Sequence, residues 1–279
     1  MVTPAAAGPP PEHRAPDRFY ARDGVRLRFR DEGRGTPVML LHGWTLDLDM
    51  WDPQVEAWCD HFRLVRFDRR GFGLSSGDPA PARDLADLDA LRLHLELGPV
   101  AVVGMSQGAR AAVEFALAYP EAVACLVLDG PPHLTKAASE DDVPFAHYQA
   151  IARAQGLVAF QNTWARHPLL ELRSRDASAR RLLARMLARY PGRDLLQEVA
   201  PSDAAAVPRF EALATPTLLV TGEHDQPARV READELARQI PYAERAVIRH
   251  AGHLPNLDNP LVYNARVRAF FDRHLRLRS

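Results

Sequence analysis

The chain has 279 residues, 47% of them hydrophobic, enough for one sizeable core, and a single large α/β domain with an insertion fits this at least as well as two small ones. Its 35 basic and 36 acidic residues leave a formal charge of -1, so nothing in the balance draws the chain to nucleic acid or an anionic membrane, and a small neutral substrate fits better. Lys136 is the sole lysine beside many arginines, a bias that reflects genome composition more than function.

Residues 1–16 are rich in Pro and Ala with interspersed charges and lack the continuous apolar stretch of a signal peptide, so a disordered tail is expected. Next, Arg18 to Ala21 and Val25 to Arg30 alternate apolar with polar residues around Asp23-Gly24, a two-residue hairpin signal. The short apolar runs at Val38 to Leu41, Leu64 to Phe67, Val100 to Val103 and Leu126 to Leu128 read as strands covered on both faces. Between them, Met50 to Phe62, Ala82 to Leu97 and Gln107 to Tyr119 space their apolar residues at helical intervals, giving βαβ units and a parallel sheet.

Strand signals stop after Asp129 and resume at Thr217 to Val220; the stretch between is helical in composition, with breaks at Pro168, Pro191-Gly192 and Pro208, and is too long for a loop. It predicts a helical cap over the carboxyl ends of the strands, where open α/β sheets place ligands. A helix at Gln226 to Gln239, a strand at Ala246 to Arg249 and a helix from Pro260 to about Leu275 close the chain. The expected organisation is a tail at 1–16, a core domain from 17–132 and 215–279, and a cap at 133–214. Cys59 and Cys125 fall in a helical stretch and an apolar run, as small core residues of a reducing compartment would. No segment reaches membrane-spanning length, and a cytoplasmic location is the default expectation.

The strongest chemical signal is Gly104-Met105-Ser106-Gln107-Gly108, directly after an apolar strand and directly before a helix. A turn of this kind forces its serine into a strained backbone conformation, and the flanking glycines remove side chains that would collide. Ser106 is thus the predicted nucleophile. Leu41-His42-Gly43-Trp44, at the end of an earlier strand, supplies a loop that can face it, and the backbone N–H groups of Gln107 and Trp44 are the predicted oxyanion hole. His42 itself reads as a brace of that loop. Of the eleven histidines, His253 in Gly252-His253-Leu254-Pro255 is the predicted base, ahead of His250, because it follows every candidate acid and has a glycine before it. Asp225, in the turn after Leu218 to Val220, is the predicted acid, with Asp129 as the alternative. His224-Asp225 lacks the further spacing of a metal site, and no metal is expected. Phe67 to Gly73 lacks the lysine and hydroxyl of a phosphate loop, so Asp68 and its arginines read as braces of the turn.

In order and spacing, His42-Gly43-Trp44, Asp68 to Gly73, Gly104 to Gly108, Gly222 to Asp225 and Gly252-His253 resemble the α/β-hydrolase superfamily over nearly the whole chain after the tail. The resemblance implies an α/β-hydrolase fold: a mostly parallel eight-stranded sheet flanked by helices, with a helical cap inserted after strand 6. Within the superfamily the chain is similar to capped bacterial enzymes that include esterases, enol-lactonases, C–C bond hydrolases and cofactor-free haloperoxidases. Ser106 stands where haloalkane dehalogenases and epoxide hydrolases carry aspartate, which argues against both, and Tyr148 and Tyr190 alone do not restore the second. Gln107-Gly108-Ala109 replaces the Met-Gly-Gly of many relatives, and Gln107 is expected to shape the pocket instead.

The expected activity is therefore cleavage of a small carboxylic ester or lactone through an acyl-enzyme, without metal or organic cofactor. The alternatives are a C–C bond hydrolase, a perhydrolase, or a receptor-like protein with slow turnover. His42, Met105, Phe145 and Trp164 are candidates for the pocket wall, with Phe160 and His167 as further cap residues; each serves equally well as core. The expected partner is the small molecule alone, with neither nucleic acid nor membrane, and a homodimer remains a possible assembly.

Overall fold

Apolar runs become strands and the amphipathic stretches between them become helices. The computed structural model describes residues 15–132, 143–197 and 209–275; most of the expected tail and the Pro208 break lie outside them. In chain order the elements are β1 (Arg18–Arg22), β2 (Val25–Gly33), β3 (Thr36–Leu41), α1 (Asp52–Trp58), β4 (Phe62–Phe67), α2 (Pro81–His94), β5 (Val100–Met105), α3 (Gln107–Ala118) and β6 (Val123–Asp129). There follow α4 (Phe145–Gln155), α5 (Leu157–Trp164), α6 (Ala177–Arg189), α7 (Arg193–Leu196), β7 (Thr217–Gly222), α8 (Pro227–Gln239), β8 (Ala243–Ile248), α9 (Pro255–Asp258) and α10 (Pro260–His274).

The eight strands form one sheet in the order β1-β2-β4-β3-β5-β6-β7-β8. β1 pairs with β2, and β2 with β4, in antiparallel fashion; every other pair is parallel. Successive residues of the central strands face opposite sides, as a pleat demands. Val38, Leu40, Ala101, Val103 and Val127 join one apolar core, while Met39, Leu41, Val102, Leu126 and Leu128 join the other.

Register places the ends of the central strands side by side, with Leu41 opposite Gly104, Met105 opposite Asp129, and Asp129 opposite Val220. The loops that leave these positions hold the predicted site. Helices α4 to α7 occupy the interval between β6 and β7, with a 3-10 turn at Pro168–Leu170 and a break at Pro191-Gly192, where Gly192 is left-handed. Phe160, Trp164, Leu183 and Met186 from these helices share one buried cluster with Trp44 and Leu46 of the loop after β3.

The helix expected from Met50 to Phe62 is shorter than its apolar spacing suggests. A 3-10 turn at Leu48–Trp51 precedes α1, whose first turn contains Pro53. α1 ends at Trp58 because fully buried Phe62 already belongs to β4. Cys59 and Cys125 are both free thiols, the second fully buried. Among the described residues no helix is long and apolar enough to cross a membrane.

Candidate active site

Ser106 connects β5 to α3 with φ 51 and ψ -114, outside the comfortable regions for a side-chain-bearing residue. Its N–H donates to the Asp129 carbonyl at 2.8 Å, and its own carbonyl accepts from Ala109 at 2.8 Å, so sheet and helix hold the turn from both sides. A Cβ on Gly104 would collide with the Gly108 carbonyl, and one on Gly108 would collide with the Leu41 carbonyl of β3. Both glycines are therefore required by backbone contact.

Asp225 and His253 come from the loops after β7 and β8, which are tied together by Glu223 N–H to the Ile248 carbonyl (2.9 Å) and His224 N–H to the Ala251 carbonyl (2.8 Å). Both side chains are buried. His253 Nδ1 stands 3.0 Å from each Asp225 carboxylate oxygen, and Asp225 Oδ1 also accepts from Gln226 N–H at 2.7 Å. With Nδ1 as the donor of the neutral ring, Nε2 is left as the acceptor.

The two alternative candidates, His250 for the base and Asp129 for the acid, are placed differently. His250 is exposed, at φ 56, and its backbone N–H donates to Glu223 at 2.9 Å. With Glu223 and His224 it forms an exposed group whose ligand atoms lie within 4.8 Å of one another, the donor set a cation would meet on this surface; Asp225 is not part of it. Asp129 is fully buried, and neither carboxyl oxygen completes a well-formed hydrogen bond among the described residues. Burial, followed by the neighbouring Asp225 charge, pushes its carboxyl well above the ordinary range.

Gly43 lies against the nucleophile turn: a Cβ there would be 2.6 Å from Met105 Sδ and 3.5 Å from Ser106 Cβ. His42, a candidate for the pocket wall, does not line the cavity. It is fully buried, and its Nε2 accepts the Arg69 backbone N–H at 2.9 Å. Burial and then the Arg69 charge push it down to about 3, so it is a neutral brace of this loop. Arg69 Nη2 in turn donates to Gln107 Oε1 at 2.9 Å. Asp68 braces the next turn by accepting from Leu48 and Leu74 N–H at 2.8 Å each and from Arg28 at 3.2 Å.

A cavity of about 340 Å³ brings Ser106, Gln107 and His253 together with Met105, Phe145 and Trp164. Phe160 is fully buried in the cap instead, and His167 is not part of the wall. Three groups of wall residues had no signal in the sequence: Leu169 and Leu170 from the 3-10 turn of the cap, Leu46 and Leu254, and Arg229 in the first turn of α8. Asp194 of α7 is a further unanticipated residue. It accepts Trp44 Nε1–H at 2.6 Å and the Tyr190 hydroxyl, while Trp164 Nε1–H reaches Thr45 Oγ1 at 2.8 Å. The indoles of Trp44 and Trp164 meet edge to face at 4.8 Å.

Among solved structures the chain is similar to a thermophilic esterase from Thermogutta terrifontis in its malate-bound form, at 28% identity and a TM-score of 0.73, over 94% of this chain and 99% of that one. Among curated relatives it is similar to a pimeloyl-[acyl-carrier protein] methyl ester esterase of Nitrosomonas europaea, at 28% identity over 84% of this chain and 95% of the relative. It is also similar to the (E)-2-((N-methylformamido)methylene)succinate hydrolase of Acinetobacter baylyi, at 26% identity over 88% of this chain and 93% of the relative. Residues 36–260 match the family described as alpha/beta hydrolase fold, from the start of β3 to the start of α10, and the chain belongs to that family.

Proposed function

We propose that the protein hydrolyses small carboxylic esters or lactones through an acyl-enzyme on Ser106, with His253 as general base and Asp225 as the carboxylate that orients it. One observation carries the reading. Ser106, at its strained turn, and His253, paired through Nδ1 with both Asp225 oxygens, line the same cavity of about 340 Å³. Two similar proteins named as esterases support the choice of an ester over other bonds.

His253 Nε2 takes the Ser106 proton as Oγ bonds to the ester carbonyl carbon. The developing oxyanion is received by the backbone N–H groups of Gln107 and Trp44, the first at the amino end of α3 and the second on the loop whose Gly43 abuts Ser106. As the carbon–oxygen ester bond breaks, the leaving alcohol takes the proton from His253. A water deprotonated by the same ring then attacks the acyl-enzyme, releasing the acid and restoring the Ser106 hydroxyl.

The test is hydrolysis of a short-chain 4-nitrophenyl ester by wild type and Ser106→Ala, together with phosphonylation by a fluorophosphonate and mass analysis of the labelled peptide. Wild type turns over and is labelled on Ser106, while the variant loses on the order of a millionfold in turnover. Equal turnover by both proteins, or a label on another residue, overturns the assignment.

A further inference from the structure

The cavity wall contains one cation that neither the ester chemistry nor the oxyanion hole uses. Among the described residues that line it, Arg229 alone carries a permanent charge; the rest of the wall is largely apolar, with Trp44, Leu46, Phe145, Trp164 and Leu170 as examples. The side chain is only 3% exposed and has interactions within the fold, yet it borders the space where substrate would sit. Glu232, also buried, follows one turn along the same helix.

The position of Arg229 is fixed relative to the predicted triad. Its backbone N–H donates to the Gln226 carbonyl at 2.9 Å, and Gln226 N–H donates to Asp225 Oδ1 at 2.7 Å, so one helical turn sets the spacing from acid to cation. A charge on a rigid helix orients a ligand better than one on a loop. Its field reaches the cap: burial lowers the His167 imidazole below its ordinary range, and proximity to His253 and then to the Arg229 guanidinium lowers it further.

Resting on the hydrolase reading above, we infer that Arg229 is a carboxylate-binding residue and that the substrate is a half-ester of a small dicarboxylic acid. The planar guanidinium matches a carboxylate in a two-bond fork, which a lysine would not provide. The cavity volume of about 340 Å³ lies at the small end of ligand pockets and suits a small substrate. The bound carboxylate exchanges no bond; it holds the acyl chain so that the ester carbonyl meets Ser106 Oγ, and hydrolysis yields the dicarboxylate and the alcohol.

The experiment compares kcat/KM for the 4-nitrophenyl half-ester of glutaric acid with that for 4-nitrophenyl hexanoate, in wild type and Arg229→Met. Glutarate binding to wild type and to Ser106→Ala is measured in parallel by calorimetry. Wild type is expected to favour the anionic ester by at least about tenfold, with that ratio lost in Arg229→Met, as for a hydrogen bond to a charged group. Glutarate should bind both proteins that retain Arg229. A wild-type ratio near unity, or a ratio unaltered in Arg229→Met, overturns the inference; should Arg229→Met not fold, absence of glutarate binding to wild type does the same. If Ser106→Ala still hydrolyses both esters while glutarate binds, the acyl-enzyme on Ser106 fails and the carboxylate site stands. If Ser106→Ala is inactive and glutarate does not bind, the carboxylate site fails alone.

Discussion

Asp225 and Asp129 are both buried carboxyls at the same sheet edge, yet their surroundings give them different chemistry. Asp225 is engaged by His253 Nδ1 and by Gln226 N–H, which suits a charged carboxylate. Asp129 is pushed toward the neutral acid by burial and by that charge, with the Tyr263 hydroxyl opposing the shift. Asparagine imitates a neutral carboxyl but not a carboxylate. Asp225→Asn should therefore lower kcat by about ten-thousandfold through loss of the correct imidazole tautomer. Asp129→Asn should stay within about tenfold of wild type, a barrier change under 1.4 kcal/mol. Steady-state kinetics on one aryl ester compare the two, and a larger loss in Asp129→Asn would make it the working acid. Ser106, His253 and Asp225 were legible in the sequence because each needs a particular residue type at a strand end, with glycines at fixed offsets. Arg229 and Asp194 were not, since one guanidinium among many arginines and one aspartate in a helical stretch have no local pattern. Only the folded chain shows which of them is buried and what it borders.

At the scale of elements, the loop after β3 is held by the cap as much as by the sheet. Asp194 of α7 receives Trp44 Nε1–H and the Tyr190 hydroxyl, and Arg189 of α6 reaches Asp47 and Asp49 at 2.6 Å each. The Trp44 backbone is a proposed oxyanion donor, so this clamp bears on chemistry as well as on packing. Asp194→Ala leaves two buried donors without their acceptor and should cost about 2–3 kcal/mol in stability. It should also lower kcat more than it raises KM for a neutral aryl ester, because a displaced Trp44 weakens the oxyanion hole. Urea unfolding followed by tryptophan fluorescence, with kinetics on the same samples, checks both; full stability with unchanged kcat would show that the clamp is dispensable. The strands of the central sheet were legible as apolar runs, but the length of β2 was not. β2 runs on through Asp31 and Glu32 to Gly33, past Arg30, where the alternation of apolar and polar residues ends. Their side chains pair across the sheet with Arg63 and Arg66 at 2.8–2.9 Å, and ion pairing replaces the apolar signal there. α9 escaped notice for a similar reason: Asn256 and Asp258 look like loop residues but are buried, binding Met50 carbonyl and Gly252 N–H respectively.

Across the whole molecule, two apolar cores enclose a sheet that also buries many charged groups, so stability depends on pH even though the net charge is close to zero. Asp84, in the first turn of α2, is a clear instance. Burial raises its carboxyl to about 6, with the Arg69 guanidinium at 3.7 Å opposing the rise. In the unfolded chain the same group titrates near its ordinary value of 3.8. Between these two pH values the folded protein therefore binds the proton more tightly than the unfolded chain, and stability falls as pH rises. The contribution is fully present below about pH 4 and lost once pH passes the folded value near 6. Asp84→Asn removes this titration without adding bulk. Relative to wild type, the variant should gain on the order of 2–3 kcal/mol between pH 4 and pH 7.5. Urea unfolding of both proteins at those two pH values provides the check. A difference that does not change with pH would mean that burial and the Arg69 charge cancel, leaving the Asp84 carboxyl at its unfolded value. The direction of the change is informative in itself: a variant that loses ground as pH rises would show the Arg69–Asp84 ion pair outweighing the burial of its charge.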